Sequence, residues 1–341
     1  MPPPTHEPEL TEPCALTDAR GRLRPDAIGW SRRPLHDGRL RGSFGRKKRW
    51  SYWGVLGPDY FLALTLADID YLGLATATFV RPSTGKLVER VVVTPLARGI
   101  SLPDAAEGGR LRFDGLGLHL GMEDVGRDTR LTARFGTLGG DRLDAEVLVR
   151  RPEGHESMNV VIPWSERRFQ LTSKQLALPA DGRIRVNGET LTVGDGAFAC
   201  LDYGRGIWPY RTTWNWAAAS GVCDGRTIGL NLGGQWTLGT GMTENCVILD
   251  GRAHKVGDEI SFARSRGQPD RPWRIRDAEG RRVDLVFSPE HTRHVRIELL
   301  LLGSELHHAL GSFDGTLVGD DGERIVVHGL HGWAEEHSAR W

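Results

Sequence analysis

Lysine is the scarcest charged side chain in this 341-residue sequence: five positions, 47, 48, 86, 174 and 255, against 39 arginines. An arginine excess this general reads first as nucleotide composition, so an individual Arg carries little functional weight. Acidic residues match the 44 basic ones and the formal net charge is zero, which removes any global attraction to nucleic acid or to an anionic membrane. Cysteine is also sparse. Cys14, Cys200, Cys223 and Cys246 show no Cys-x-x-Cys spacing, which excludes a zinc knuckle and a redox dithiol and leaves buried free thiols as the expectation. No run of about 18 apolar residues exists; the longest candidate, 295–302, is interrupted by Arg296 and Glu298. The N-terminal stretch has neither a basic nor an apolar region of the secretory kind, and a cytoplasmic protein is expected.

Catalytic signatures are missing too. There is no Walker loop, no His-Glu-x-x-His and no Gly-x-Ser-x-Gly, and the glycines 115, 117 and 121 miss the dinucleotide fingerprint by one residue. Histidines thicken toward the end, but His328 and His331 would face opposite sides of a strand. Neither a cofactor nor a metal site is expected. The basic run 46–49 before Trp50, Tyr52 and Trp53 reads as a solvated loop leading into a strand, in preference to a nucleic-acid surface.

What is abundant is turn material. The 44 glycines repeatedly follow Asp or Asn, as at Asp37, Asp181, Asn187, Asp224, Asp250 and Asp321, pairs that supply positive φ at hairpins. Between them the sequence alternates with period two: 183–186, the turn Asn187-Gly188 and 189–193 form a hairpin in plain view, and 281–287, 294–299 and 323–328 alternate likewise. Gly, Pro or Asp interrupts nearly every window long enough for three helical turns. The reading is an all-β chain. Many short strands must hide their edges, and the length fits two closed or nearly closed antiparallel β-barrels in tandem. Residues 1–28, rich in proline, are expected as a loosely held arm, residues 29–165 as the first barrel and 166–341 as the second, with the boundary at the polar stretch Ser165–Arg168.

The stretch 202–245 holds four of the 11 tryptophans among carboxylates, arginines and asparagines, the mixture a ligand pocket needs. On a strand, Trp214 and Trp216 share a face and Asn215 takes the other; the small residues 217–221 and 233–234 would leave room beside the indoles. Glu244 heads an apolar strand, where a carboxylate needs a partner such as Arg205 or Arg211, or has its pKa raised by desolvation. A general acid or base and a structural ion pair both satisfy that requirement.

These residues bring a resemblance with them. The run Asp202-Tyr-Gly-Arg-Gly-Ile-Trp-Pro-Tyr-Arg211, then Thr213-Trp-Asn-Trp216, Gly229-Leu-Asn-Leu232, Thr243-Glu-Asn245 and the ending Gly332-x-x-Glu335-Glu-His-x-Ala-Arg-Trp341 resemble the bacterial domain-of-unknown-function 2804 family. More distantly, the chain is similar to the AttH and carotenoid hydratase group. That resemblance implies two lipocalin-like barrels and hydrophobic ligands, with Asp202 mapping cleanly and Tyr203-Gly204-Arg205 departing from the group's pattern. The expected protein binds a lipophilic small molecule at Tyr203, Arg205, Arg211, Trp214, Asn215, Trp216, Asn231 and Asn245. Two alternatives stand beside it: a cofactor-free hydratase, isomerase or cyclase using Glu244 or Asp202, and a structural or interaction module without a ligand.

Overall fold

The computed structural model describes residues 5–265, 267–268 and 270–341. Among these, helical structure is confined to two 3-10 turns, Pro25–Ala27 and Pro82–Thr84, and the regular structure is otherwise strand, almost all of it antiparallel, joined by turns and loops. The expected hairpins form. Val186 pairs Glu189 across the positive-φ turn Asn187-Gly188, and the alternating run near residue 283 extends into the long strand Val283–Glu298, paired with Gly303–Val318.

The first sheet runs in the order Lys86–Pro95, Leu72–Arg81, Tyr60–Asp68, Lys47–Gly57, Phe198–Ile207, Arg168–Val186, Arg142–Val149, Asp128–Gly136, Leu118–Val125 and Arg110–Gly115. It curls until Leu72–Arg81 approaches Leu118–Val125. The second runs Arg252–Lys255, Cys246–Leu249, Arg226–Gly234, Arg211–Cys223, Arg324–Arg340, Gly303–Val318, Val283–Glu298, Trp273–Asp277 and Ile260–Ala263, and curls likewise. Period-two alternation then sorts the side chains into three cores. Trp53, Val55, Leu201 and Tyr203 fill the first curl; Ala217, Leu230, Phe287 and Phe313 fill the second. Trp50, Tyr52, Cys200, Trp216, Ala218 and Trp333 lie on the outer faces, where the sheets meet.

Two expectations change here. The sheets hand over between Ile207 and Arg211, so 168–186, 189–193 and 198–207 belong to the first sheet, whereas the sequence placed the boundary at Ser165–Arg168. That polar stretch is a tight turn: Ser165 pairs Arg168, and the Ser165 hydroxyl accepts from both the Arg167 and Arg168 amides. It is polar because a hairpin tip is exposed. The described part of the arm, residues 5–28, is also not loose. Leu16 and Leu23 enter the first core, Cys14–Ala15 pairs His36–Asp37, and the buried Glu7 carboxylate pairs with the fully buried Lys255 ammonium. Proline denies ladder bonds, but two apolar anchors and one buried ion pair hold the segment without them.

Candidate functional site

Register places the polar groups of the junction. In the first sheet Lys174 lies opposite Asp202, and Asp202 opposite Tyr52, so all three share the outer face. In the second, Trp216 lies opposite Glu335 and Glu335 opposite His308. Packed together, the two rows form one cluster. The Lys174 ammonium sits 3.0 Å from Asp202 Oδ1 and 3.1 Å from Glu244 Oε2, and 4.4 Å over the Trp216 ring. Asp202 also accepts from the Thr172 hydroxyl at 3.2 Å. Glu244 accepts from Trp236 Nε1 at 2.7 Å. Glu335 accepts from Trp214 Nε1 at 2.9 Å and, among the described residues, has no charged partner in contact.

The electrostatics separate these groups. Burial disfavours the Lys174 ammonium, but Asp202 and Glu244 together outweigh it and hold its pKa above the ordinary value. Glu335 is different. Burial pushes its carboxyl up to about 7; the Trp214 bond and Lys174 act the other way, and Asp202 and Glu244 add repulsion. Burial also lifts the Tyr52 phenol well above its normal range, with Cys200, Glu335 and Asp202 contributing, and lowers His308 to about 4. The cluster is enclosed without being sealed: Asp202 and Glu335 each keep 9% of their surface accessible, and Tyr52 and Trp214 are half-buried.

Of the residues the sequence singled out, the structure brings Asp202, Glu244, Trp214, Trp216, Asn231 and Asn245 to this junction. Asn231 accepts from Trp216 Nε1 at 2.8 Å and donates to the Glu244 carbonyl at 2.7 Å; Asn245 accepts from the Gly233 amide at 2.6 Å. Four others lie elsewhere. Tyr203 and Arg205 alternate to the far face, where the buried guanidinium donates to the carbonyls of Pro103, Trp50 and Gly204. Arg211 is exposed, and Asn215 faces away to accept from Gln235. The Glu244 partner is therefore Lys174, where the sequence expected Arg205 or Arg211. Lys174 and Glu335 were missed as site residues. The signal for Lys174 was its rarity: of the five lysines in an arginine-rich chain, three, Lys48, Lys174 and Lys255, are buried.

Nine of the 11 tryptophans line the junction. Trp208 is their hub, stacked on Trp236 at 5.5 Å and touching Trp50, Trp164, Trp214 and Trp341. Trp214 and Trp216 do share a face, but they belong to separate groups, Trp214 with Trp341 and His337, Trp216 with Tyr52 and Trp333. Small residues here admit rings and carboxylates: a Cβ on Gly204 would overlap the Trp50 indole, and one on Gly233 the Glu244 carboxylate. Gly204→Ala is accordingly expected to lower the unfolding free energy by about 1–3 kcal/mol, the cost of overpacking, measured by urea unfolding; an unchanged midpoint would show the indole free to move aside.

A cavity of about 310 Å³ opens at the edge of the junction, lined by Leu56, Tyr60, Phe61, Leu310 and Gly332. Phe61 packs on Trp333 at 5.3 Å. Glu335 lies two residues beyond Trp333 on the same face, roughly 7 Å along the strand.

The family model described as "Domain of unknown function (DUF2804)" matches residues 7–341. The chain belongs to the DUF2804 family. No curated protein matches it. Among solved structures it is similar to CghA with Sch210972, at 13% identity and TM-score 0.47 over 87% of this chain and 89% of that one. It is also similar to a putative AttH from Nitrosomonas europaea, at 12% identity and TM-score 0.45 over 85% and 92%. Kievitone hydratase from Nectria haematococca is matched at 10% identity and TM-score 0.45 over 99% and 98%. Among the described residues of this DUF2804 protein, no helix is long and apolar enough to cross a membrane.

Proposed function

We propose that this DUF2804 protein is a cofactor-free acid–base enzyme of the hydratase or isomerase kind, acting on an unsaturated lipophilic small molecule at the junction of the sheets, with Glu335 as the general acid. One observation carries this reading: a buried carboxyl whose pKa is raised to about 7 and whose hydrogen-bonded neighbour is the Trp214 indole. A proton donor works best when its pKa lies near the operating pH, and burial without a cation is the arrangement that achieves this for a carboxyl. Proton transfer from Glu335 to an alkene carbon leaves a carbocation, which Glu335, now ionised, and the aromatic faces around it stabilise. In a hydration, water adds to the cation and the ionised Glu335 takes the proton that the added water releases; in an isomerisation Glu335 takes the proton from the neighbouring carbon, and either way the acid is restored. Lys174, Asp202 and Glu244 position the site, and the cavity beside Tyr60 and Phe61 at the edge of the junction is the proposed entry for the ligand.

The test is incubation of the protein with retinoids and carotenoid precursors in D₂O, with mass spectrometry of the recovered compounds. Deuterium should appear at carbon in a bound compound, and Glu335→Gln should slow its uptake by about two to four orders of magnitude. Binding without exchange would reduce the protein to a carrier. Failure to bind any of these compounds would reject the lipophilic substrate.

A further inference from the structure

A second cluster lies on the other face of the second sheet from Glu335. Strands Val283–Glu298 and Gly303–Val318 place His294 directly opposite His307, with the rings parallel to within 4° and 4.1 Å apart. Glu305 precedes His307 by two residues and so shares its face. Its Oε1 lies 3.1 Å from His294 Nε2 and 3.9 Å from His307 Nε2. One donor atom from each of the three side chains falls within 4.8 Å of the other two. Two imidazoles thus converge on a single carboxylate oxygen, which as a hydrogen-bond acceptor serves His294 well and His307 poorly.

We propose that His294, His307 and Glu305 bind a divalent transition-metal ion of the zinc type, with an open coordination position. Two imidazoles and one carboxylate are a donor set suited to such ions. Tetrahedral bonds of about 2.0–2.1 Å put donors roughly 3.3 Å apart, so binding requires the two stacked rings to turn out of parallel until their in-plane lone pairs meet at one ion. The three side chains are 51%, 31% and 41% exposed for His294, His307 and Glu305, so an ion in solution reaches them without any opening of the fold. The other carboxylate beside His307, Glu336, is already engaged by Arg264 at 2.7 Å. His294 and His307 also line a cavity of about 250 Å³ walled by Trp273, Arg264 and Arg293, whose two guanidiniums are each paired to a carboxylate, Arg264 to Glu336 and Arg293 to Glu89. This departs from the expectation of no metal site, which weighed His328 and His331 within one strand. The donor set here forms across two strands and is invisible to spacing along one.

Calorimetric titration of the full chain with Zn²⁺ at neutral pH tests the site. One ion per chain is expected, with His294→Ala and His307→Ala each weakening binding at least about 10-fold, Glu305→Gln weakening it also, and His328→Ala leaving it unchanged. Absence of stoichiometric binding would overturn the proposal. Loss confined to one of the two histidine variants, or equal binding by all of them, would also overturn it, because either result means an ordinary surface imidazole contact or a site elsewhere.

Discussion

Replacing Lys174 with Met is expected to lower the unfolding free energy at pH 7 by about 3–5 kcal/mol, the cost of stranding a buried charge by removing its partner. Lys174 is the cation in contact with both Asp202 and Glu244, and all three are 9% exposed or less. Met preserves the stem over Trp216 and removes only the charge, so the loss measures the ion cluster and not the packing. The penalty should shrink in acid, where the stranded carboxylates take up protons and no longer need a counter-charge. Urea unfolding of both proteins at neutral and acidic pH checks this. A loss below about 1 kcal/mol, the range of exposed pairs, would mean that water screens the cluster.

Glu335→Gln is expected to do the reverse and stabilise the protein above neutrality. The folded pKa of about 7 lies above the ordinary 4.5. The neutral carboxyl's contribution is therefore fully present below the unfolded value and is lost as pH rises through the folded one. From about pH 4.5 to 8 the wild type should lose about 3 kcal/mol relative to the Gln variant, which does not titrate there. Parallel stability profiles would contradict a raised pKa. The cost to the wild type at high pH is the kind of strain an active site imposes on stability.

The fold was legible because its determinants are local. Asn187-Gly188 marks a turn wherever the rest of the chain goes, and the alternation at 183–193 assigns two strands and their faces. The site was legible only in part because its determinants are pairings. Period two predicts that Asp202 and Tyr203 face opposite ways, yet it does not say which face meets the other sheet; that depends on the handover between Ile207 and Arg211. Lys174 sits in the polar run Ser173-Lys174-Gln175, which resembles solvated strand until Asp202 and Glu244 close over it. Glu335 looked like one of two adjacent carboxylates at the end of the chain. Alternation separates them, sending Glu336 to Arg264 and Glu335 to the Trp214 indole. The glycines at 233–234 misled for a related reason: sequence shows a missing side chain but not the Glu244 carboxylate that occupies the place beside Gly233.

The central claim, that a buried acid at the sheet junction is poised to give up a proton near neutral pH, is tested most directly by titrating Glu335 itself. Carbon-detected NMR of protein labelled with ¹³C at the glutamate carboxyl, with Glu335→Gln used to assign the resonance, reads its protonation across the pH range. The account predicts a midpoint at about 7 for this one carboxyl. A midpoint near the ordinary glutamate value of 4.5 would show an ionised, solvated side chain and would contradict it.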